Sequence, residues 1–239
     1  MNPMRALALA LALLATGCMQ SPQQPPSGSA PSPEAVLRPG YERLQAQGQP
    51  VFQVDSARSL VTIFVRRGGS LARLGHDHLV ASHSVQGWVA PGAGRADLFV
   101  PLAELSVDEA ALRAQFDFDS QPSEADIAGT RANMQDKVLE VARFPYALIH
   151  VADLDRTATG VSLDLSITLR GVTRSLTVPA TLASTPDALR ISGSFEFDQS
   201  AFDIAPFSIL NGAIKVEDRL RLHFDIDARR GMAPAAAPG

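Results

Sequence analysis

SLDLSITLRGVTRSLTVPATL, residues 162–182, decides the fold class. Val161, Leu163, Leu165, Ile167 and Leu169 alternate with Ser162, Asp164, Ser166, Thr168 and Arg170. A period of two places every apolar side chain on one face of a strand and every polar one on the other, so one side is buried and one is wet. Gly171 interrupts the run. Val172, Leu176, Val178, Ala180 and Leu182 then resume the alternation, as expected where a tight turn joins antiparallel neighbours.

The same period recurs outward along the chain. Ile191, Gly193, Phe195 and Phe197 alternate with Ser192, Ser194, Glu196 and Asp198, and Leu220, Leu222, Phe224 and Ile226 alternate with Arg221, His223, Asp225 and Asp227. Further extended segments are expected at 52–55, 60–67, 84–90, 96–102 and 146–152. The sum is an all-β chain of about eight strands with minor helices, and an antiparallel β-barrel satisfies it because closure removes the exposed edges. A two-sheet sandwich is the alternative. In the barrel, Leu163, Leu165, Ile167, Val178, Phe195, Phe197, Leu222 and Phe224 face inward, with Ser162, Asp164, Glu196 and Asp225 outside.

Two helices are expected between the strands. A short one spans about 107–115 with Asp108 as its cap, and a longer one spans about 123–143, opened by Ser123 with Asp126 three places on and stopped by Pro145. Between them FDFDS, 116–120, reads either as a half-buried strand or as a pair of carboxylates at Asp117 and Asp119.

The chain ends read differently. MNPMRALALALALLATGC, 1–18, has one basic residue, an apolar run from Ala6 to Ala15 and small residues before the only cysteine. A helix through that run is about 15 Å long at 1.5 Å per residue, too short for a hydrocarbon core of roughly 30 Å. The expectation is a cleaved lipoprotein signal over 1–17, with Cys18 as the lipidated N-terminus anchoring the chain in a membrane. Met19 after it points to an outer-membrane lipoprotein facing the periplasm. The alternative is an ordinary secretory signal and a free thiol. Met19 to Gly40 holds six prolines, so 18–50 reads as an extended Pro-rich tether, 51–228 as one folded domain and 229–239 as a fraying tail.

Composition narrows function. The chain has 21 basic against 25 acidic residues, only two lysines (Lys137 and Lys215) and a formal charge of −4, which excludes nucleic acid as the leading partner. A single cysteine removes disulfides, CxxC chemistry and cysteine-ligated zinc. No GxSxG, HExxH or P-loop pattern occurs, so an enzyme would be of unidentified class. The remaining chemical signal is LARLGHDHLVASH, 71–83. His76 and His78 leave the same face of an extended chain, and with a bend His83 joins them as ligands for zinc or copper. The competing reading has these rings bonding loop backbone or lining the barrel mouth.

The chain resembles the YceI-like family of periplasmic proteins over residues 52–228. The resemblance rests on FQVDSARSLVTIFV (52–65), Gly87 in VQGWV, VLEVARFPYALIHV (138–151) with its Phe144–Pro145 pair, the hairpin of 162–182, and FEFDQSAFDIAPF (195–207). It implies a lipocalin-like antiparallel barrel that carries an amphiphilic, isoprenoid-like lipid without catalysis. The apolar-chain ligand would then lie against Leu163, Leu165, Ile167, Val178, Ala180, Gly193, Phe195, Phe197, Leu222 and Phe224. A metal-binding envelope lipoprotein built on the histidines is the second reading.

Overall fold

The computed structural model describes residues 31–157 and 160–231, with the side chain of Arg156 excepted. In chain order the strands are β1 (Phe52–Val54), β2 (Leu60–Val65), β3 (Arg67–Gly68), β4 (His78–Ser82), β5 (Gln86–Ala90), β6 (Arg95–Pro101), β7 (Ser106–Val107), β8 (Tyr146–Thr157), β9 (Gly160–Leu169), β10 (Val172–Ser184), β11 (Ala188–Asp198), β12 (Ser208–Ile209), β13 (Ile214–Val216) and β14 (Arg219–Arg230). The helices are α1 (Pro33–Ala46), α2 (Ala110–Arg113) and α3 (Glu124–Asn133). α3 runs on into one π-helical turn, Met134–Val138.

Eight strands close a ring in the order β1-β5-β6-β8-β9-β10-β11-β14, and β14 pairs back onto β1. Every pairing between these strands is antiparallel. β2, β4 and β7 extend the wall beside β14. The hairpin of 162–182 forms as the alternation requires, with Leu163 opposite Val178 and Leu169 opposite Val172. Its turn has φ +51° at Arg170 and +77° at Gly171, the paired left-handed geometry that matches the twist of the flanking strands. Gly87 is required for another reason. Its φ is +140°, and a Cβ there would overlap the Asp97 carbonyl of β6.

The polar parity lies outside. Glu196 pairs with Arg221, Asp225 with Arg190, and Thr177 donates to Asp164 across neighbouring strands. The connections divide the barrel into two unlike ends. Tight turns at 91–94 and 185–187 close one end, while the long connections, α3 and the three-stranded ribbon β12-β13-β3 gather at the other.

Four expectations require correction. The tether does not run to residue 50: Pro33–Ala46 is helical, because Pro33 sits in the first turn where no N–H is needed, and Ser32 caps it by accepting from Ala35 N at 3.2 Å. Leu37, Tyr41 and Leu44 then turn one stripe toward the outer face of β5 and β6, where Tyr41 stacks on Trp88 at 5.7 Å. The tail does not begin at 229: β14 includes Arg229 and Arg230, and Gly231 N donates to Val51 O. Asp108 is no helix cap. It stands at φ +55° before a four-residue helix whose N-cap is Glu109. FDFDS makes no strand; Phe116 and Phe118 instead cover Phe64 on the outside of β2, and Asp119 pairs with Arg67. The Ser123–Asp126 capping box forms as read.

Candidate lipid-binding cavity

The inward faces of the strands do not meet. They enclose a cavity of about 780 Å³ that runs from the hairpin end, near Pro91, Gly94 and Ser184, to the ribbon end, near Phe207, Ile209 and Lys215. This volume falls inside the range of roughly 300–1,000 Å³ typical of small-molecule sites. Its middle is aliphatic and aromatic, because every second residue of β2, β6, β8, β9 and β11 is apolar and the pleat turns that parity inward.

Leu163, Leu165, Ile167, Phe195, Phe197, Leu222 and Phe224 stand on the cavity wall. Val178, Ala180 and Gly193 do not reach it. Val178 is buried against Val161, Leu163 and Leu165, with Ala180 packed on the same cluster. Gly193 lies under the Phe224 ring: a Cβ there would come within 2.7 Å of Phe224 Cζ and of Pro179 O. The sequence reading missed the wall's other half. Val61 and Ile63 of β2 and Leu98 of β6 contribute, as do Thr130, Met134 and Val138 from α3 and its π turn. Spacing of four from Thr130 through Met134 to Val138 is the helical signal that would have found the last three.

Polar groups line both ends, with Arg95, Asp153 and Ser184 at the hairpin end and His76, His78, Thr130 and Lys215 at the ribbon end. His78 begins β4, and its Nδ1–H donates to Asp108 Oδ2 at 2.6 Å; a carboxylate can only accept, which fixes the tautomer and leaves Nε2 facing Thr130 Oγ1 at 3.4 Å. Asp108 has a side chain with 0% exposure, and it also accepts from Leu79 N–H and Arg113 Nη1. Burial alone would raise the Asp108 carboxyl, but the bonds from His78, Leu79 and Arg113 outweigh it and hold it below the usual carboxylate range. The left-handed backbone at Asp108 lets one carboxylate serve both β4 and α2. His76 lines the cavity too, with a buried Nδ1 that has no hydrogen-bond partner.

The three-histidine metal reading fails here. His83 turns away to Glu109 at 3.1 Å, and the His76 and His78 rings sit 6.3 Å apart. Among the described residues no group of three His, Cys, Asp or Glu side chains is placed to hold a metal ion. Of the remaining histidines, His150 bonds Asp97 on the outer wall, and His223 packs edge-on against Phe64, also outside. Cys18 lies outside the described residues.

Comparison with known sequences decides the kinship. The profile of the YceI-like domain matches residues 52–228, the whole of the barrel up to Ala228. The chain belongs to the YceI-like family. Solved structures share the fold at low identity. A polyisoprenoid-binding domain from Saccharophagus degradans, implicated in plant cell wall breakdown, superposes with a TM-score of 0.54 at 11% identity, over 75% of this chain and 98% of that one. BcnA of Burkholderia cenocepacia gives 0.50 at 16%, over 73% and 98%. None of the curated proteins matches the chain. The family's lipocalin-like barrel is therefore the fold of this YceI-like chain, and the cavity is its candidate site.

Proposed function

We propose that this barrel binds and carries one amphiphilic lipid with a long, isoprenoid-like apolar chain, and that it does so without catalysis. The observation that carries the reading is the cavity of about 780 Å³ running between the two ends of the barrel, apolar through its middle and polar where it reaches them. A chain of methylenes gains about 0.8 kcal/mol for each CH₂ taken out of water, before ordering costs, so such a wall holds a long tail and has little to offer a short polar solute. The polar end of the ligand would lie by His76, His78 and Thr130, where a fixed imidazole Nε2, a hydroxyl and an unpartnered ring nitrogen offer hydrogen bonds. The polyisoprenoid-binding relative with the same fold supports this choice of ligand class. Native mass spectrometry of protein incubated with a bacterial lipid extract should show one added mass that organic extraction removes. Only empty protein in those spectra would end the reading.

We further infer that Cys18 is lipidated and holds the domain at the periplasmic face of the outer membrane. The support is the sequence 1–19 alone. Palmitate labelling should be lost in Cys18→Ala, and wild-type protein should fractionate with outer membranes; labelling that survives the substitution refutes the anchor.

A further inference from the structure

At the ribbon end three large apolar side chains stand in water. Leu74, at the close of the turn Ala72–Leu74, is 62% exposed; Leu210 and Ile209, at the tip of the β12–β13 connection, are 64% and 47% exposed. The two segments form one rim, since Leu71 N donates to Ala213 O at 2.8 Å and a Cβ at Gly75 would touch Ile214. Ile209 also lines the cavity, so the apolar rim is continuous with the mouth.

Two more features converge there. Leu210, Asn211 and Gly212 have φ of +51°, +54° and +85°. A leucine in the left-handed region is disfavoured by its Cβ, and here no burial within the fold offsets the strain. Cations surround the same rim: Arg73 adjoins Leu74, Lys215 lies on β13, and Lys137 stands over the Phe207 ring at 5.6 Å. None of the three has an ion pair among the described residues. The only two lysines of a chain with net charge −4 thus flank the cavity mouth.

We propose that the rim of Leu74, Ile209 and Leu210 docks on an anionic lipid bilayer, with the cavity mouth held against the membrane. Exposed apolar tips ringed by unpaired cations are what the boundary between headgroups and acyl chains receives: the tips enter it and the cations meet lipid phosphates. The proposal deepens the lipid-carrier reading by stating which end of the barrel receives the lipid.

The test uses the full chain with Cys18→Ser, so that a cysteine introduced by Leu210→Cys, or by Thr185→Cys at the opposite end, is the only labelled thiol. A fluorophore at each site is mixed with vesicles of phosphatidylethanolamine and phosphatidylglycerol containing brominated lipid. Quenching should be severalfold stronger at 210 than at 185, and should fall with added salt and with Leu74→Glu. Equal quenching at both ends, or none, overturns the proposal. So does burial of the 210 label that grows with protein concentration without vesicles, which would make the rim a contact between two copies. Native mass spectra of Leu74→Glu separate the two readings. Loading from detergent solution should survive in that variant, whereas quenching at 210 in a wild-type background that never loads lipid would retain the docking face and remove the carrier.

Discussion

Asp108 does at one residue what usually takes several, since it orients His78, holds the start of β4 through Leu79 N–H and neutralises Arg113. Removing one member of a buried ion pair leaves the other charge uncompensated and costs about 3–5 kcal/mol. Asp108→Asn should lower unfolding stability in urea by that amount at pH 7. The carboxyl is depressed in the fold, so its contribution is fully present above the unfolded value near 4 and disappears as pH falls through the lower folded value. The difference between wild type and variant should therefore shrink toward zero in acid, which denaturation curves at pH 7 and pH 3 would measure. None of this was legible in the sequence, where Asp108 stands before a short apolar run and looks like a cap. Its left-handed backbone and its three partners are set by tertiary neighbours 5, 29 and 30 residues away.

The elements differ in how openly the sequence declared them. The hairpin of β9 and β10 was fully legible, because alternation with a period of two and one glycine leave no second way to bury five aliphatic side chains on one face. Helix α1 was hidden by prolines that mask the spacing of Leu37, Tyr41 and Leu44. Its anchor is Tyr41, 0% exposed, whose hydroxyl donates to Asp97 Oδ2 at 2.7 Å. Burial, and then the Asp97 carboxylate, push the Tyr41 hydroxyl well above its ordinary range. Asp97 responds in the other direction: its burial is outweighed by bonds from Tyr41, His150 and Arg95, so its carboxyl is depressed. Tyr41→Phe removes one donor from a buried carboxylate and should cost roughly 1–3 kcal/mol at neutral pH, less below the carboxylate range, with α1 becoming the first protease-sensitive segment. Equal stability of variant and wild type would show that α1 is held by its apolar stripe alone.

For the molecule as a whole, the sequence told which residues face inward but not whether they meet, since a packed core and an open cavity draw on the same residue types. Ala147 of β8 lies on the cavity wall, and its substitution separates the two. In a packed core Ala147→Phe would cost about 1–3 kcal/mol through overpacking. In this barrel the ring has space to enter, so the variant should keep its stability in urea while its native mass spectra lose the bound lipid. Gly193, which looked equally suitable in the sequence, is unsuitable because the added atoms would strike Pro179 and Phe224.

Pro179 has a larger effect than its single missing N–H. The ladder between β10 and β11 runs from Ser184↔Leu189 to Ala180↔Gly193 and ends there, one residue short of the proline. Beyond it, β11 continues on β14 through Asp198↔Arg219, and β10 continues on β9 through Val172↔Leu169, but the two no longer pair with each other. A fully laced cylinder has one circumference and changes it only by breaking ladder bonds. This one is a cylinder with a pleat left unstitched along half its height, toward the ribbon end. Over that half β10 and β11 are held only through their outer neighbours, β9 and β14, so spreading the two strands there would break no ladder bond.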